Sequence, residues 1–211
     1  MSPKKQYYEN LAASVIKGLE KRHMEGYYFD TAEEAVQKIM SMIPEGSSVS
    51  WGGSMTLTQS GMMDALKASG LELIDRGAAS SPEEKKALER RAFGADYYFM
   101  SANAITADGE LVNTDGNGNR VAALVYGPDH VMILAGMNKV ALDVESAMKR
   151  VHMNAAPPNA VRLNLKTPCS LTGVCKECLS ADCICAHTVV TRYNRIAGRI
   201  KVFLIGEELG F

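Results

Sequence analysis

The sequence lacks any apolar run long enough to cross a membrane, for which about 18 or more continuous apolar residues are needed. Its first residues also lack an apolar segment followed by a small-residue cleavage site, the pattern of a secretory signal peptide. Residues 7–20 mix apolar with charged side chains, as an amphipathic helix does. We therefore expect a protein of the cytoplasm with no membrane partner.

The sequence also lacks a strong charge of either sign, because 23 Lys and Arg residues nearly balance 24 Asp and Glu residues, for a net charge of -1. No overall field would therefore attract the protein to nucleic acid, and we expect no nucleic-acid partner. Hydrophobic residues make up 46% of the 211 positions, which is enough for the core of one domain. We treat residues 1–211 as a single domain.

Cysteine is absent before position 169, and all five cysteines lie within the seventeen residues 169–185. Thiols stay reduced in the cytoplasm, and the C-x-x-C pair lets two thiolates meet one metal ion from a turn. Soft sulfur ligands favour an iron–sulfur cluster or, as the alternative, zinc. A redox-active thiol pair and incidental free cysteines are the competing interpretations, and the spacing does not decide which four bind. The candidate ligands are Cys169, Cys175, Cys178, Cys183 and Cys185.

Short apolar runs alternate with helix-like segments over much of the chain, which predicts an α/β fold with a mainly parallel sheet. A capping box at Thr31 and Glu34 starts one helix, Ser81 and Pro82 start another, and residues 57–68 form a third. The predicted strands are residues 47–51, 71–74, 97–100, 130–135 and 200–205.

Two stretches depart from this alternation. Asp108-Gly109 predicts a two-residue turn in a small β-hairpin over residues 105–114, inserted at the C-terminal edge of the sheet. Prolines and cysteines break the periodicity of residues 155–187, which we expect to be a metal-binding loop. The chain is thus divided into N-terminal helices (1–45), an α/β core (46–154), this loop, and a closing strand and tail (188–211).

A glycine-rich turn between a predicted strand and a helix is the first candidate ligand site. Glycine lets the backbone approach a ligand closely, and free N–H groups at a helix start favour an anion. The alternative is a tight turn in which Ser54 or Thr56 only caps the helix. The residues concerned are Gly52, Gly53, Ser54 and Thr56.

A polar loop after the hairpin is the second candidate site. Ligands collect beyond the C-terminal strand ends of open α/β sheets, and amides with a guanidinium suit a carboxylate or a polyoxygenated ligand. Glu110 and Asp115 are the nearest candidates for a general acid or base, although a flexible polar loop without a ligand is the alternative. The candidate ligand-binding residues are Asn113, Gly116, Gly118, Asn119 and Arg120.

Several strings together resemble the LUD domain, the family of lactate utilization protein C. They are SVSWGGSMTLTQSG, LELIDR, MSANAITADGELVNTDGNGNRVAALVYGP, VMILAGMNK and IGEELGF, and they cover nearly the whole chain. The resemblance implies a Rossmann-like sheet similar to the ribose-5-phosphate isomerase and CoA-transferase group. It also implies participation in the oxidation of L-lactate to pyruvate beside iron–sulfur partner proteins.

Two functions follow as expectations. The first is an accessory or electron-transfer subunit in the oxidation of L-lactate, or a related 2-hydroxyacid, that binds a small anionic metabolite at the sheet edge. The second is a stand-alone enzyme or sensor for a small phosphorylated or CoA-linked metabolite, in which the metal is structural.

Overall fold

A computed structural model describes residues 2–211, which form two β-sheets surrounded by helices. The strands are β1 Glu25–Phe29, β2 Ser48–Trp51, β3 Glu72–Leu73, β4 Tyr97–Met100, β5 Ala104–Thr106, β6 Leu111–Asp115, β7 His130–Gly136, β8 Val140–Ala141, β9 His187–Thr191 and β10 Ile200–Ile205. The main sheet has six parallel strands in the order β1-β10-β7-β4-β2-β3. This arrangement confirms the predicted Rossmann-like α/β fold with a mainly parallel sheet.

Most of the helices begin after a polar residue whose side chain caps the first turn. Thr31 and Glu34 form the predicted capping box at the start of α2, and the Ser81 side chain accepts the backbone N–H of Glu84 at the start of α5. The helices are α1 Pro3–Lys21, α2 Ala32–Met40, α3 Met55–Gln59, α4 Met62–Ala68, α5 Pro82–Arg91, α6 Asn119–Val125, α7 Val144–Arg150, α8 Ala156–Arg162 and α9 Pro168–Thr172.

The hydrophobic core lies on both faces of the main sheet. Side chains alternate along each strand, so that Tyr98 packs into the layer that includes α1, whereas Phe99 packs into the layer that includes α2. The central β10 shows the same alternation, with Val202 on one side and Phe203 on the other. Burial on both faces explains why the central strands are continuous apolar runs.

The predicted hairpin is present as β5 and β6, and it follows the carboxyl end of β4. It belongs to a second sheet of four strands in the order β8-β5-β6-β9. The predicted two-residue turn is wrong, because the N–H of Gly109 donates to the carbonyl of Thr106 and Gly109 has a φ of 86°. This is the pattern of a three-residue loop, with glycine in the left-handed region that its missing side chain permits.

Two further predictions need correction. The helix predicted over residues 57–68 is split into α3 and α4, because Gly61 has a φ of 78° between them. Residues 155–187 are not one loop, since they contain α8 and α9. Pro157 and Pro158 do not prevent α8, because they stand in its first turn, where no backbone N–H is needed for the helix.

Three edge strands are not predicted by the sequence. β1 lies within residues 1–45, for which the sequence predicts helices, and its residues are all half-buried, so that no alternation marks them. β8 and β9 form the two edges of the second sheet, where β8 has only two residues and β9 follows the cysteine-rich region directly. All three strands are defined by the partner they pair with rather than by a pattern of their own.

Candidate functional site

The three stretches singled out from the sequence meet at one cleft, beyond the carboxyl ends of β2 and β4. The cleft has a volume of about 850 Å³. Gly53 and Ser54 line it after β2, Gly116 and Asn119 line it after β6, and residues 181–184 of the cysteine segment form another part of its wall. We use "cysteine segment" for residues 169–185.

The glycine turn after β2 has a structural as well as a lining role. The Gly52 N–H donates to the carbonyl of Phe99 at 2.9 Å, which extends the pairing of β2 with β4. A Cβ atom at Gly52 would lie 3.0 Å from Cδ of Arg120, so glycine is needed there for the arginine to pack. Ser54 is the N-cap of α3, since its hydroxyl accepts the Leu57 N–H. Thr56 is fully buried beneath the cleft.

The guanidinium group of Arg120 binds the protein itself. Nη1 donates to the carbonyl of Ser101 at 2.8 Å, and Nη2 donates to Oδ1 of Asn103 at 2.7 Å and to the carbonyl of Thr114 at 2.8 Å. Nε lies 3.6 Å from Oδ2 of Asp115. Arg120 lines the cleft, but its donors join the segment after β4 to the end of β6 instead of pointing at a free ligand position.

The two candidate acid/base residues lie in different places. Asp115 lines the cleft, where its Oδ2 atom accepts the backbone N–H groups of Arg120 and Val121 at the start of α6. Glu110 lies near the tip of the hairpin, with its carboxylate 3.6 Å from Nη1 of Arg22 at the end of α1. A catalytic role for Glu110 does not fit this position, because the residue is not part of the cleft wall.

Two more predicted ligand residues are used inside the protein. Asn113 is fully buried, and its Oδ1 accepts a hydrogen bond from Nη1 of Arg120 at 3.4 Å. Gly118 begins α6 with a φ of 80°, and a Cβ atom there would lie 3.3 Å from the ring of His187. Of the residues predicted in this loop, Gly116, Asn119 and Arg120 line the cleft together with Asp115.

Lys139 lines the cleft and was missed from the sequence. It ends the short turn after β7, is only 4% exposed, and donates from Nζ to the hydroxyls of Thr56 at 2.8 Å and Ser101 at 3.0 Å. Burial, followed by the charges of Arg150 and Arg120, lowers the pKa of Lys139 from 10.5 to about 7. The available signal was a lone lysine directly after the apolar run of a strand, at its carboxyl end.

The thiols of the cysteine segment are held by local hydrogen bonds. Cys169 is buried on α9, with its Sγ 3.2 Å from the Thr167 hydroxyl. Sγ of Cys175 accepts the Glu177 N–H, and Sγ of Cys183 accepts the Cys185 N–H, at 3.5 and 3.4 Å. Backbone N–H groups directed at sulfur in this way also stabilise thiolate ligands of metal centres.

The five cysteines share one neighbourhood. Burial raises the pKa of Cys185 to about 12, and the charges of Cys183, Cys175, Cys169 and Cys178 act on it in the same direction. All five thiols are free. Within residues 2–211, however, no three His, Cys, Asp or Glu side chains are arranged as a closed metal site. The donor types fit a soft metal, whose binding would have to draw the sulfurs together as it ordered the segment.

A histidine adds to this neighbourhood. Nδ1 of His152 lies 3.1 Å from Sγ of Cys175, a contact that nothing in the sequence predicts. His152 stands in a π-helical stretch, Val151–Ala155, between α7 and α8. His187, which is nearer to the cysteines in sequence, packs against Gly118 instead. Cys183 is the cysteine that faces the cleft.

The chain matches one protein family over most of its length. The model of the LUD domain matches residues 12–205. The chain belongs to the LUD domain family. This family is associated with lactate utilization, and the match includes both loops of the cleft as well as the cysteine segment. No curated protein matches the LUD domain described here.

One solved structure is similar in fold to this LUD domain over most of its length, and two others align with about half of it. A DUF162 family protein from Deinococcus radiodurans aligns with a TM-score of 0.54 at 12% identity, over 94% of this chain and 98% of the other. The delta subunit of eIF2B from Chaetomium thermophilum aligns with a TM-score of 0.33 at 19% identity, over 52% and 48%. A D-ribose-5-phosphate isomerase in complex with phospho-erythronic acid aligns with a TM-score of 0.31 at 11% identity, over 52% and 53%.

Within residues 2–211, no helix is both long enough and apolar enough to cross a membrane.

Proposed function

We propose that this LUD domain is an accessory or electron-transfer subunit in the oxidation of L-lactate, or a related 2-hydroxyacid, to the 2-oxoacid. In this proposal the cleft binds the small carboxylate and the cysteine segment holds an iron–sulfur cluster. The observation that carries the proposal is that the cysteine segment, through Cys183, forms a wall of the same cleft that the buried Lys139 lines.

The charges of the cleft support an anionic ligand. Its acidic side chains are already satisfied by the protein: Asp75 accepts the Gly77 N–H, Asp182 accepts the Lys166 N–H, and Glu89 lies 3.4 Å from Arg76. Lys139, in contrast, is bound only to hydroxyl groups among the described residues. Because no carboxylate of the protein neutralises this amine, and the guanidinium groups of Arg150 and Arg120 lie near it, the site favours a ligand that brings a negative charge.

The cysteine segment supplies the candidate ligands of the metal centre, Cys169, Cys175, Cys178, Cys183 and Cys185. An iron–sulfur cluster held there would accept and donate single electrons. Zinc is the alternative, and it would leave the segment with a structural role. Iron–sulfur partner proteins of a lactate oxidation system would be the electron acceptors in the first case.

The metal proposal is tested by anaerobic purification, followed by analysis for iron, sulfide and zinc and by the visible spectrum. We expect iron and sulfide in the wild type, and their loss in Cys178→Ser but not in the neighbouring Ser180→Ala control. Zinc without iron would support the structural alternative. A protein that binds neither metal, even after reconstitution, would contradict both.

The size of the cleft favours a second candidate function. A volume of about 850 Å³ is more than a three-carbon acid fills, and clefts of this size commonly enclose larger ligands. A stand-alone enzyme or sensor for a phosphorylated or CoA-linked metabolite would use the additional space and the basic side chains at the rim, Arg76, Lys85 and Arg162.

The melting temperature, measured with ligands of each class, distinguishes the two functions. We expect L-lactate, pyruvate and related acids to raise the melting temperature of the metal-loaded protein. A rise with sugar phosphates or CoA esters alone would favour the second function. If none of these compounds changes the melting temperature, the cleft is not a site for either class.

A further inference from the structure

The hydrogen bonds around Lys139 show how its amine is oriented. The Thr56 hydroxyl donates to the carbonyl of Leu209 at 3.3 Å, so its oxygen must accept the hydrogen bond from Nζ of Lys139. The Ser101 hydroxyl donates to the carbonyl of Ala102 at 3.3 Å, so it also must accept from Nζ. The two hydrogens of a neutral amine satisfy both hydroxyls, which leaves the nitrogen lone pair at the remaining position.

The surroundings of Lys139 favour that neutral amine. Besides burial, the Arg150 guanidinium from α7 and the Arg120 guanidinium from α6 oppose a third positive charge, and the pKa of Lys139 falls to about 7. The groups in hydrogen-bond contact from α3 and from the segment after β4 are the uncharged hydroxyls of Thr56 and Ser101. Near neutral pH a large part of the protein therefore carries an unprotonated amine on the wall of the cleft.

A buried lysine with a lowered pKa is suited to two kinds of chemistry, proton abstraction and attack on a carbonyl. Both hydrogens of the amine are fixed by hydroxyls, so the lone pair has one defined direction. The side chain also lies on the cleft wall, where a ligand can approach it. Arg120 and Arg150 make the region positive, which favours a ligand whose carbonyl carries an adjacent carboxylate.

We propose that the ε-amine of Lys139 is a nucleophile that condenses with the carbonyl of a small 2-oxoacid to form an imine. This inference rests on the proposed function, because it takes the cleft as the carboxylate site. The nitrogen forms a bond to the carbonyl carbon, and the carbonyl oxygen leaves as water with the two amine hydrogens. The step needs no oxidant, reductant or further reactant, and hydrolysis reverses it.

The inference is tested by reductive trapping of the full-length metal-loaded protein. Pyruvate is added, then sodium borohydride, and the intact mass and the modified peptide are measured. We expect one stable adduct on Lys139 in the wild type, none with L-lactate, which has no carbonyl group, and none in Lys139→Arg or Lys139→Met. Lys139→Arg keeps a long basic side chain but has no nucleophilic amine, and a cooperative melting transition shows whether each variant is folded.

Two results would overturn the inference, and they are distinguishable. If pyruvate raises the melting temperature of the wild type but borohydride traps no adduct on Lys139, the nucleophile is wrong and the proposed carboxylate site stands. If a panel of 2-oxoacids neither binds nor gives an adduct, the inference and the proposed ligand fail together. An adduct that is spread over exposed lysines and is unchanged in Lys139→Met would also show that Lys139 is not the nucleophile.

Discussion

Gly52 and Arg120 pack directly against each other, such that a methyl group at position 52 would lie 3.0 Å from Cδ of the arginine and 3.2 Å from the Tyr98 hydroxyl. The glycine turn after β2 and the polar loop after β6 are therefore parts of one structure. The residue types in these two segments therefore depend on each other. This relationship leads to predictions that can be tested without knowing the ligand.

Gly52→Ala should destabilise the protein by about 1–3 kcal/mol, the usual cost of extra atoms in a packed region. Arg120 cannot move aside without breaking its hydrogen bonds to the segment after β4 and to the end of β6. Urea unfolding measures the change. Gly70→Ala is the matched control, because a Cβ atom at Gly70 has no other atom within 4 Å. Equal stability of both variants would contradict the packing.

Arg120→Ala should lower the free energy of unfolding by about 3–5 kcal/mol, as expected when one partner of a buried ion pair is removed. The substitution removes the donors to Ser101 and Asn103 and leaves the Asp115 carboxylate without its guanidinium. Arg162→Ala, at an exposed position on α8, is the control and should have a small effect. If Arg120→Ala weakened ligand binding without affecting stability, Arg120 would be a ligand residue after all.

Lys139 should make the stability of the protein depend on pH. Its pKa is about 7 in the folded protein and near 10.5 when unfolded, so between these values only the unfolded chain carries the proton. Stability rises with pH wherever the unfolded state binds more protons. The wild type should therefore gain stability relative to Lys139→Met as the pH rises from about 7 to 10.5.

Urea unfolding of both proteins at several pH values measures this gain. The exposed Lys67→Met substitution controls for the loss of a surface charge. A difference between wild type and Lys139→Met that stays constant over the whole range would show that Lys139 is not buried as a neutral amine.

The two candidate acid/base residues should respond differently to conservative substitution. Glu110→Gln removes only the charge that faces Arg22, away from the cleft, and should leave ligand binding unchanged. Asp115→Asn replaces the carboxylate that accepts the first N–H groups of α6 and should weaken ligand binding. Isothermal titration with pyruvate compares them, and a larger effect from Glu110→Gln would contradict this assignment.

The central strands were the most predictable part of the fold. β4 and β10 have the bounds predicted for them, because both are short apolar runs buried on both faces of the sheet. β1 and β9 were not found, because edge strands are only partly buried and carry no continuous apolar pattern. The break between α3 and α4 depends on the left-handed conformation of Gly61, which a helical pattern does not reveal.

The sequence singles out the stretches that line the cleft, but it does not give the role of each residue. The sequence around Arg120 predicts that its guanidinium binds a ligand. In the fold, the guanidinium instead donates to Ser101 and Asn103, which are distant in sequence. The same holds for His152 and Cys175, which are 23 positions apart in sequence and 3.1 Å apart in space. Long-range contacts of this kind decide whether a polar side chain faces a ligand or the protein.

The central claim is that the cysteine segment and the cleft lined by Lys139 form one functional site. The most direct test is the electron paramagnetic resonance spectrum of anaerobically reconstituted, reduced protein, recorded before and after addition of pyruvate. We predict an iron–sulfur signal that pyruvate shifts in the wild type, because Cys183 lies on the wall of the cleft. A signal that saturating pyruvate leaves unchanged, or the absence of any signal from fully reconstituted protein, would contradict the claim.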